Sequence, residues 1–146
     1  MKVGLLSDTH SFLDPQVAAY FRDVDEIWHA GDIGDMAVLD ELEALKPVRA
    51  VYGNIDDRTL QAHCPEDLWW TCEGVHVWMT HIGGVPPHYN PRVKKILQTR
   101  TPNLFICGHS HILRVGRDPS HGNLLYVNPG AAGNHGFHQM KTVLRF

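Results

Sequence analysis

Val3-Gly4-Leu5-Leu6-Ser7-Asp8-Thr9-His10 is a short apolar run that passes without a break into side chains able to grip a cation. The same order recurs along the chain. Ile27-Trp28 leads to Gly31-Asp32, Val48-Arg49-Ala50-Val51 to Gly53-Asn54, Val75-His76-Val77-Trp78-Met79 to His81, and Leu104-Phe105-Ile106-Cys107 to Gly108-His109-Ser110-His111. Runs this short, β-branched or aromatic and bounded by turn residues, read as buried strands. Functional loops of open α/β sheets collect at the carboxyl ends of the strands, so residues far apart in sequence can meet at one edge.

Working outward, Asp14-Pro15 opens a helix whose apolar side is expected from Val17, Ala18, Tyr20 and Phe21. A second helix is expected over Asp35 to Leu45, with Val38, Leu39, Leu42 and Leu45 at helical spacing and Pro47 as its stop. Strand, helix, strand, helix, strand argues for a parallel sheet covered by helices. Further on, a short helix is expected from Asp56 to Ala62, and a hairpin joins Leu68–Thr71 to Val75–Thr80 across Glu73-Gly74. Asn90-Pro91 caps a helix carrying Val93, Ile96 and Leu97. After His111 the pattern becomes all strand: Ile112 to Val115, Leu124 to Val127 and Thr142 to Phe146 are expected to close the fold as antiparallel strands.

Composition sets the bounds. A chain of 146 residues, 43% hydrophobic and 20% charged, suits one globular domain, expected to span residues 1–146. A net charge of −3 offers no basic field, so nucleic acid is not expected as a partner. The start enters a strand at once and no apolar run reaches membrane-spanning length, so a cytoplasmic protein without membrane contact is expected. Cys64, Cys72 and Cys107 form no C-x-x-C pair and read as reduced, mostly buried thiols. Eleven histidines are more than packing calls for, which points to metal.

Asp8 and His10 alternate in an extended segment and can grip one ion, and His109 and His111 alternate so as to point in related directions from one loop. Asp32 follows a glycine, and its two carboxylate oxygens make it the natural bridge between two cations. Asn54 offers a neutral amide oxygen. His29 is read as strand packing or as an outer hydrogen-bonding partner of a ligand. His135 and His138, in a Gly-rich loop, are read as a surface turn, and Arg58 as a solvated helix residue. Trp69-Trp70 reads as strand packing or a dimer contact, and a homodimer stays open. Other hydrolase classes lack their residues: there is no Cys with an Arg at phosphatase-loop spacing, no Gly-Lys-Ser/Thr after a strand and no H-E-x-x-H.

The order D-x-H, G-D, G-N, H, G-H-x-H resembles the calcineurin-like metallophosphoesterase superfamily over nearly the whole chain, and the small size and Asn128-Pro129-Gly130 resemble its single-domain bacterial and archaeal branch. The resemblance implies an α/β fold, a two-sheet β-sandwich flanked by helices. It implies one metal on Asp8, His10, Asp32 and His111, and a second on Asp32, Asn54, His81 and His109. The same seven residues would be the catalytic set, hydrolysing a small phosphate ester, a diester before a monoester, with a metal-activated hydroxide. Manganese is the first expectation, with iron, zinc or nickel as alternatives. A noncatalytic metal-binding scaffold of the same fold is the competing reading. Two departures stand out. Where many members carry a histidine after the Asn, this chain has Ile55, so Asp56, which would orient that histidine, is expected to lack its partner. Ile82-Gly83-Gly84 stands where the branch often reads His-Gly-His.

Overall fold

A computed structural model describes residues 1–146. The first half alternates β1 (Val3–Leu6), α1 (Gln16–Tyr20), β2 (Glu26–His29), α2 (Met36–Leu45), β3 (Val48–Ala50) and α3 (Arg58–His63). The second runs β4 (Asp67–Cys72), β5 (Val75–Thr80), β6 (Gly84–Val85), β7 (His88–Tyr89), α4 (Pro91–Leu97), β8 (Leu104–Ile106), β9 (Leu113–Asp118), β10 (Leu124–Pro129) and β11 (Leu144–Arg145).

Two sheets face each other. One has the order β11-β1-β2-β3, the other β4-β5-β8-β10-β9, and β6 pairs with β7 in a small ribbon. In the first, β1, β2 and β3 are parallel and β11 is antiparallel. In the second, β5, β8 and β10 are parallel, with antiparallel edges β4 and β9. Strand alternation explains the layering. Val3, Leu5 and Trp28 meet Val77, Met79, Leu104 and Ile106 between the sheets. Leu6 and Ile27 point the other way, onto Val17, Phe21, Val38, Leu39, Leu42 and Leu60. Trp78, Phe105, Leu124 and Tyr126 pack against Val93 and Leu97 of α4. The order is helices, sheet, sheet, helix, the expected two-sheet α/β sandwich. Strands buried on both faces read as unbroken apolar runs, which is why they stood out in the sequence.

Several local expectations shift. In α1 only Val17 is buried, with Phe21 just beyond it, while Ala18 is exposed and Tyr20 lies 48% exposed. A five-residue helix turns just one stripe inward, and the pair at i and i+4 occupies it. α2 is capped by Asp35, whose side chain accepts from the Ala37 N–H, but Leu45 at its end is 40% exposed. The Glu73-Gly74 hairpin forms as expected, both residues taking the positive φ of a tight two-residue turn. β9 runs to Asp118, and its start leaves Ile112 outside the strand and exposed. The strands after His111 do not form one antiparallel set: β10 lies parallel to β8, and β11 crosses to the other sheet beside β1. Which sheet a late strand joins depends on which edge is free, and no local periodicity encodes that. Trp69 stacks on Trp78 while Trp70 packs edge-on to Trp28, so the paired tryptophans are strand packing on opposite faces of β4. No helix is long and apolar enough to cross a membrane.

Candidate metal centre

The parallel strands β1, β2, β3, β5 and β8 end on one edge, and the loops that leave them bring the expected residues together. Asp8 Oδ1 lies 3.3 Å from His111 Nε2, 3.8 Å from His10 Nε2 and 3.7 Å from His81 Nε2. Asp32 Oδ2 lies 3.2 Å from His81 Nε2 and 3.3 Å from His10 Nε2. Two trios result, each with ligand atoms within 4.8 Å of one another: Asp8, His10 and His111, and Asp32, His81 and His109. Asn54 sits at the exposed rim, where its Oδ1 accepts from His109 Nδ1 at 3.1 Å. All seven residues therefore share one site.

The backbone there is strained. Asp8, His10, Asp32, His109 and His111 take φ between 45° and 72°, the left-handed region. That conformation costs L-residues roughly 1 to 2 kcal/mol each, and it persists where the surroundings over-determine it, commonly at functional sites. Here the surroundings are hydrogen bonds. His10 N–H donates to Asp32 O and Asp8 N–H to Gly31 O, lacing the first two loops. Asp8 Oδ2 accepts from the Ser7 hydroxyl at 2.7 Å and from His109 N–H at 3.1 Å, which leaves Oδ1 facing the centre. His81 Nδ1–H donates to Ala30 O at 2.7 Å, so in the neutral ring Nε2 carries the lone pair, directed towards the two carboxylates. Gly31 (φ 100°) lies under that ring, where a Cβ would come within 2.6 Å of Nδ1; at Gly53 a Cβ would sit 2.1 Å from Asp32 Oδ1.

Two residues prove to be braces. His29 is wholly buried: its Nδ1 accepts from Gly31 N–H and its Nε2–H is then free to donate to Thr9 Oγ1, whose hydroxyl donates to Ile33 O. Burial pushes His29 down to about 3, so the ring is neutral. Asp56 corrects the expectation that it stands without a partner. It lies outside α3, which Asp57 caps instead, and its buried carboxylate accepts from three backbone N–H groups. Oδ2 takes Gly53 at 2.7 Å and Ile33 at 3.2 Å, and Oδ1 takes Gly34 at 2.8 Å. It thus ties the Asn54 loop to the Asp32 loop.

The 130–138 loop is not a distant surface turn either. Ala132 N–H and Gly133 N–H donate to Ser7 O and Asp8 O. His135 stacks on His10, centroids 4.6 Å apart and 21° from parallel, and His138 meets His111 edge-on. A loop this far along the chain carried no ligand spacing; its one signal was the density of glycine that permits close approach to Thr9. Arg92, on α4, also reaches a cleft shared with Asn54 and His81. Arg58 is exposed, as read from the sequence. Cys64 and Cys107 are buried, with thiols pushed by burial up to about 11 and about 12, and Cys72 is half-buried.

The donor set fits a divalent ion. Asp8 Oδ1, His10 Nε2 and His81 Nε2 are buried without a hydrogen-bonding partner, although they converge. Burial lowers His10 in spite of Asp32 and Asp8. Burial also opposes charging of His81 and Asp32, yet their mutual contact outweighs it, raising the imidazole and lowering the carboxyl. Carboxylates and imidazole lone pairs aimed at one point need a cation between them.

The chain resembles a probable metallophosphoesterase of Methanothermobacter thermautotrophicus, at 33% identity over 90% of this chain and 77% of that protein. Among solved structures, an archaeal phosphodiesterase superposes with a TM-score of 0.73 at 24% identity, over 90% of this chain and 85% of its own. Vps29 of Entamoeba histolytica, solved with Zn²⁺, also gives 0.73 at 20% identity, over 97% of this chain and 81% of its own. At these identities both show the shared sandwich. The family model of the calcineurin-like phosphoesterase superfamily domain matches residues 1–146, and the chain belongs to that superfamily.

Proposed function

We propose that residues 1–146 form a single metallophosphoesterase domain with a dinuclear centre that hydrolyses a small phosphate ester, diesters in preference to monoesters. Asp8, His10, Asp32 and His111 hold one ion; Asp32, Asn54, His81 and His109 hold the other. The observation that carries this reading is the convergence of three buried, unpartnered atoms, Asp8 Oδ1, His10 Nε2 and His81 Nε2, at the edge where both sheets end. Asp32 would be the bridge, because its Oδ2 lies nearer to one imidazole of each set, 3.3 Å from His10 and 3.2 Å from His81, than Asp8 Oδ1 does at 3.8 and 3.7 Å.

Two divalent ions supply charge for the phosphoryl oxygens and acidify a water at neutral pH. Mixed oxygen and imidazole donors suit manganese, iron, zinc or nickel over calcium, and manganese is put first on the family resemblance alone. The chain's own residues hold geometry. Ser7 and the His109 N–H fix Asp8, Ala30 O fixes the tautomer of His81, and Asp56 fixes the loops of Asp32 and Asn54. Ile55, 46% exposed next to Asn54, has no proton to give a leaving group. Aryl esters, which leave without protonation, are therefore favoured over alkyl esters.

The test is hydrolysis of bis(p-nitrophenyl) phosphate and p-nitrophenyl phosphate, apo and with Mn²⁺, alongside His109→Ala and metal analysis. Metal-dependent turnover that fails in the variant, with the diester faster, supports the reading. Two bound ions per chain without turnover of either ester would instead favour the second reading, a noncatalytic scaffold, for which Ile55 is the specific observation.

A further inference from the structure

Three clefts open beside the centre. One is lined by His109, His111 and the 135–138 loop, another by His88, Tyr89 and His109, and neither contains a carboxylate, lysine or arginine. The third, about 200 Å³, joins Asn54 and His81 to Glu66, Thr80, Asn90 and Arg92. Its charge is already largely matched. Arg92 Nη2 pairs with Asp67, its Nε lies 3.6 Å from Glu66 Oε1, and its Nη1 makes only a long 3.5 Å contact with Thr80 Oγ1. One guanidinium between two carboxylates leaves a net charge of −1 at the wall away from the metal ligands, so a second phosphate or a carboxylate of the substrate lying against that wall would meet repulsion. The volume is below the roughly 300 to 1,000 Å³ of sites for larger ligands, which leaves too little room for a nucleoside. The polar groups are mixed: Glu66 only accepts, Arg92 only donates. A hydroxyl does both.

We propose, resting on the phosphoesterase reading, that this cleft takes one ester group of the substrate and that this group is a small uncharged polyol. Glu66 accepts from its hydroxyls and the Nη1–H of Arg92 donates to them. Both residues set specificity and touch no reacting atom.

Three p-nitrophenyl phosphodiesters that differ only in the second ester group test this with the metal-loaded full chain: 2,3-dihydroxypropyl, propyl and 2-carboxyethyl. All release the same chromophore, and because the 2-hydroxyl of the dihydroxypropyl ester can itself attack phosphorus and expel p-nitrophenol, only turnover that forms no cyclic phosphate is counted for that ester. Two modest hydrogen bonds predict kcat/KM for the dihydroxypropyl ester about tenfold above the propyl ester, with the carboxyethyl ester lowest. In Glu66→Ala the polyol-to-propyl ratio falls to about three, the share of the remaining Arg92 bond, and the carboxyethyl ester gains on both; because each ratio is taken within one variant, altered folding or metal loading cancels. Glu66→Gln, which keeps an acceptor but not the charge, retains part of the polyol preference and also relieves the carboxyethyl penalty. Equal rates for polyol and propyl esters, or preference for the carboxyethyl ester, would overturn the proposal while leaving the phosphoesterase reading intact. Failure to turn over all three esters and bis(p-nitrophenyl) phosphate as well would overturn the phosphoesterase reading, and the polyol cleft with it.

Discussion

Replacing Asp56 by asparagine changes one atom, and the structure says what that atom does. The amide oxygen can keep the Oδ2 position, facing Gly53 and Ile33, but the amide nitrogen then faces the Gly34 N–H, donor against donor. One charge-assisted bond is lost and two others are weakened to neutral ones. Hydrogen bonds to charged groups contribute about 1.5 to 3 kcal/mol each and neutral ones about 1 kcal/mol. Gly34 is partly exposed and water softens its share, so Asp56→Asn is expected to destabilise the metal-free chain by about 2 to 3 kcal/mol. At 2 to 4 °C per kcal/mol for a chain of this size, Tm falls by roughly 4 to 12 °C. Asp56→Ala removes all three bonds and costs about 4 to 6 kcal/mol, close to the whole stability of many domains. The assay is urea unfolding of both variants without metal, with metal titration of Asp56→Asn by calorimetry. Since the carboxylate joins the Asp32 and Asn54 loops, affinity at the second ion is expected to drop about 10- to 100-fold. An Asp56→Asn chain within 0.5 kcal/mol of the parent and unchanged in metal affinity would refute the idea that Asp56 is a brace.

Other perturbations probe the rest of the site. Ile55→His places an imidazole beside Asn54 and is expected to raise kcat for alkyl phosphodiesters by about tenfold, below the roughly 10²- to 10⁴-fold usual for general-acid help because Asp56 is already engaged, with little change for p-nitrophenyl esters; equal effects on both would argue against a leaving-group role. Removing metal with a chelator is expected to lower stability by about 2.7 kcal/mol for each ion that was held at a free concentration 100 times its Kd, read as a fall in Tm that added Mn²⁺ reverses. His29, held down to about 3 by burial, binds a proton near 6.5 once unfolded, so the unfolded state takes up more protons as pH falls and stability drops. Between pH 7 and pH 5 that amounts to about 2 kcal/mol, and the slope should vanish in His29→Gln if His29 is its source. Gly53→Ala drives a methyl against Asp32 Oδ1 and is expected to abolish binding of one ion in metal analysis while the helices persist by circular dichroism.

The strands were legible because they are buried on both faces, and a run such as Leu104-Phe105-Ile106-Cys107 has no other stable home. The seven candidate ligands were legible for a related reason: each follows such a strand, and parallel strands deliver their ends to one edge. Asp35 and Asn90 announced their helices because a capping side chain acts on N–H groups two or three residues away.

What stayed hidden depends on distance along the chain. Asp56 looks in sequence like the start of a helix or an orphaned helper, and only the folded loops show three N–H groups from two segments pointing at it. His135 lies 125 positions from the ring it stacks upon, and the turn of the 130–138 loop that places it there is set by Ser7 and Asp8 carbonyls, not by neighbouring residues. β11 joins β1 because that edge was left open, and Arg92 borders the cleft because α4 packs under β5. The sequence by itself determined which segments must be buried and which residue types could hold a cation, since those follow from local composition and period. Which oxygen of Asp8 stays free, which loops are braced, and what shape of cleft opens beside the centre were decided only by the tertiary structure, because hydrogen bonds and excluded volume act between segments that the chain order does not place together.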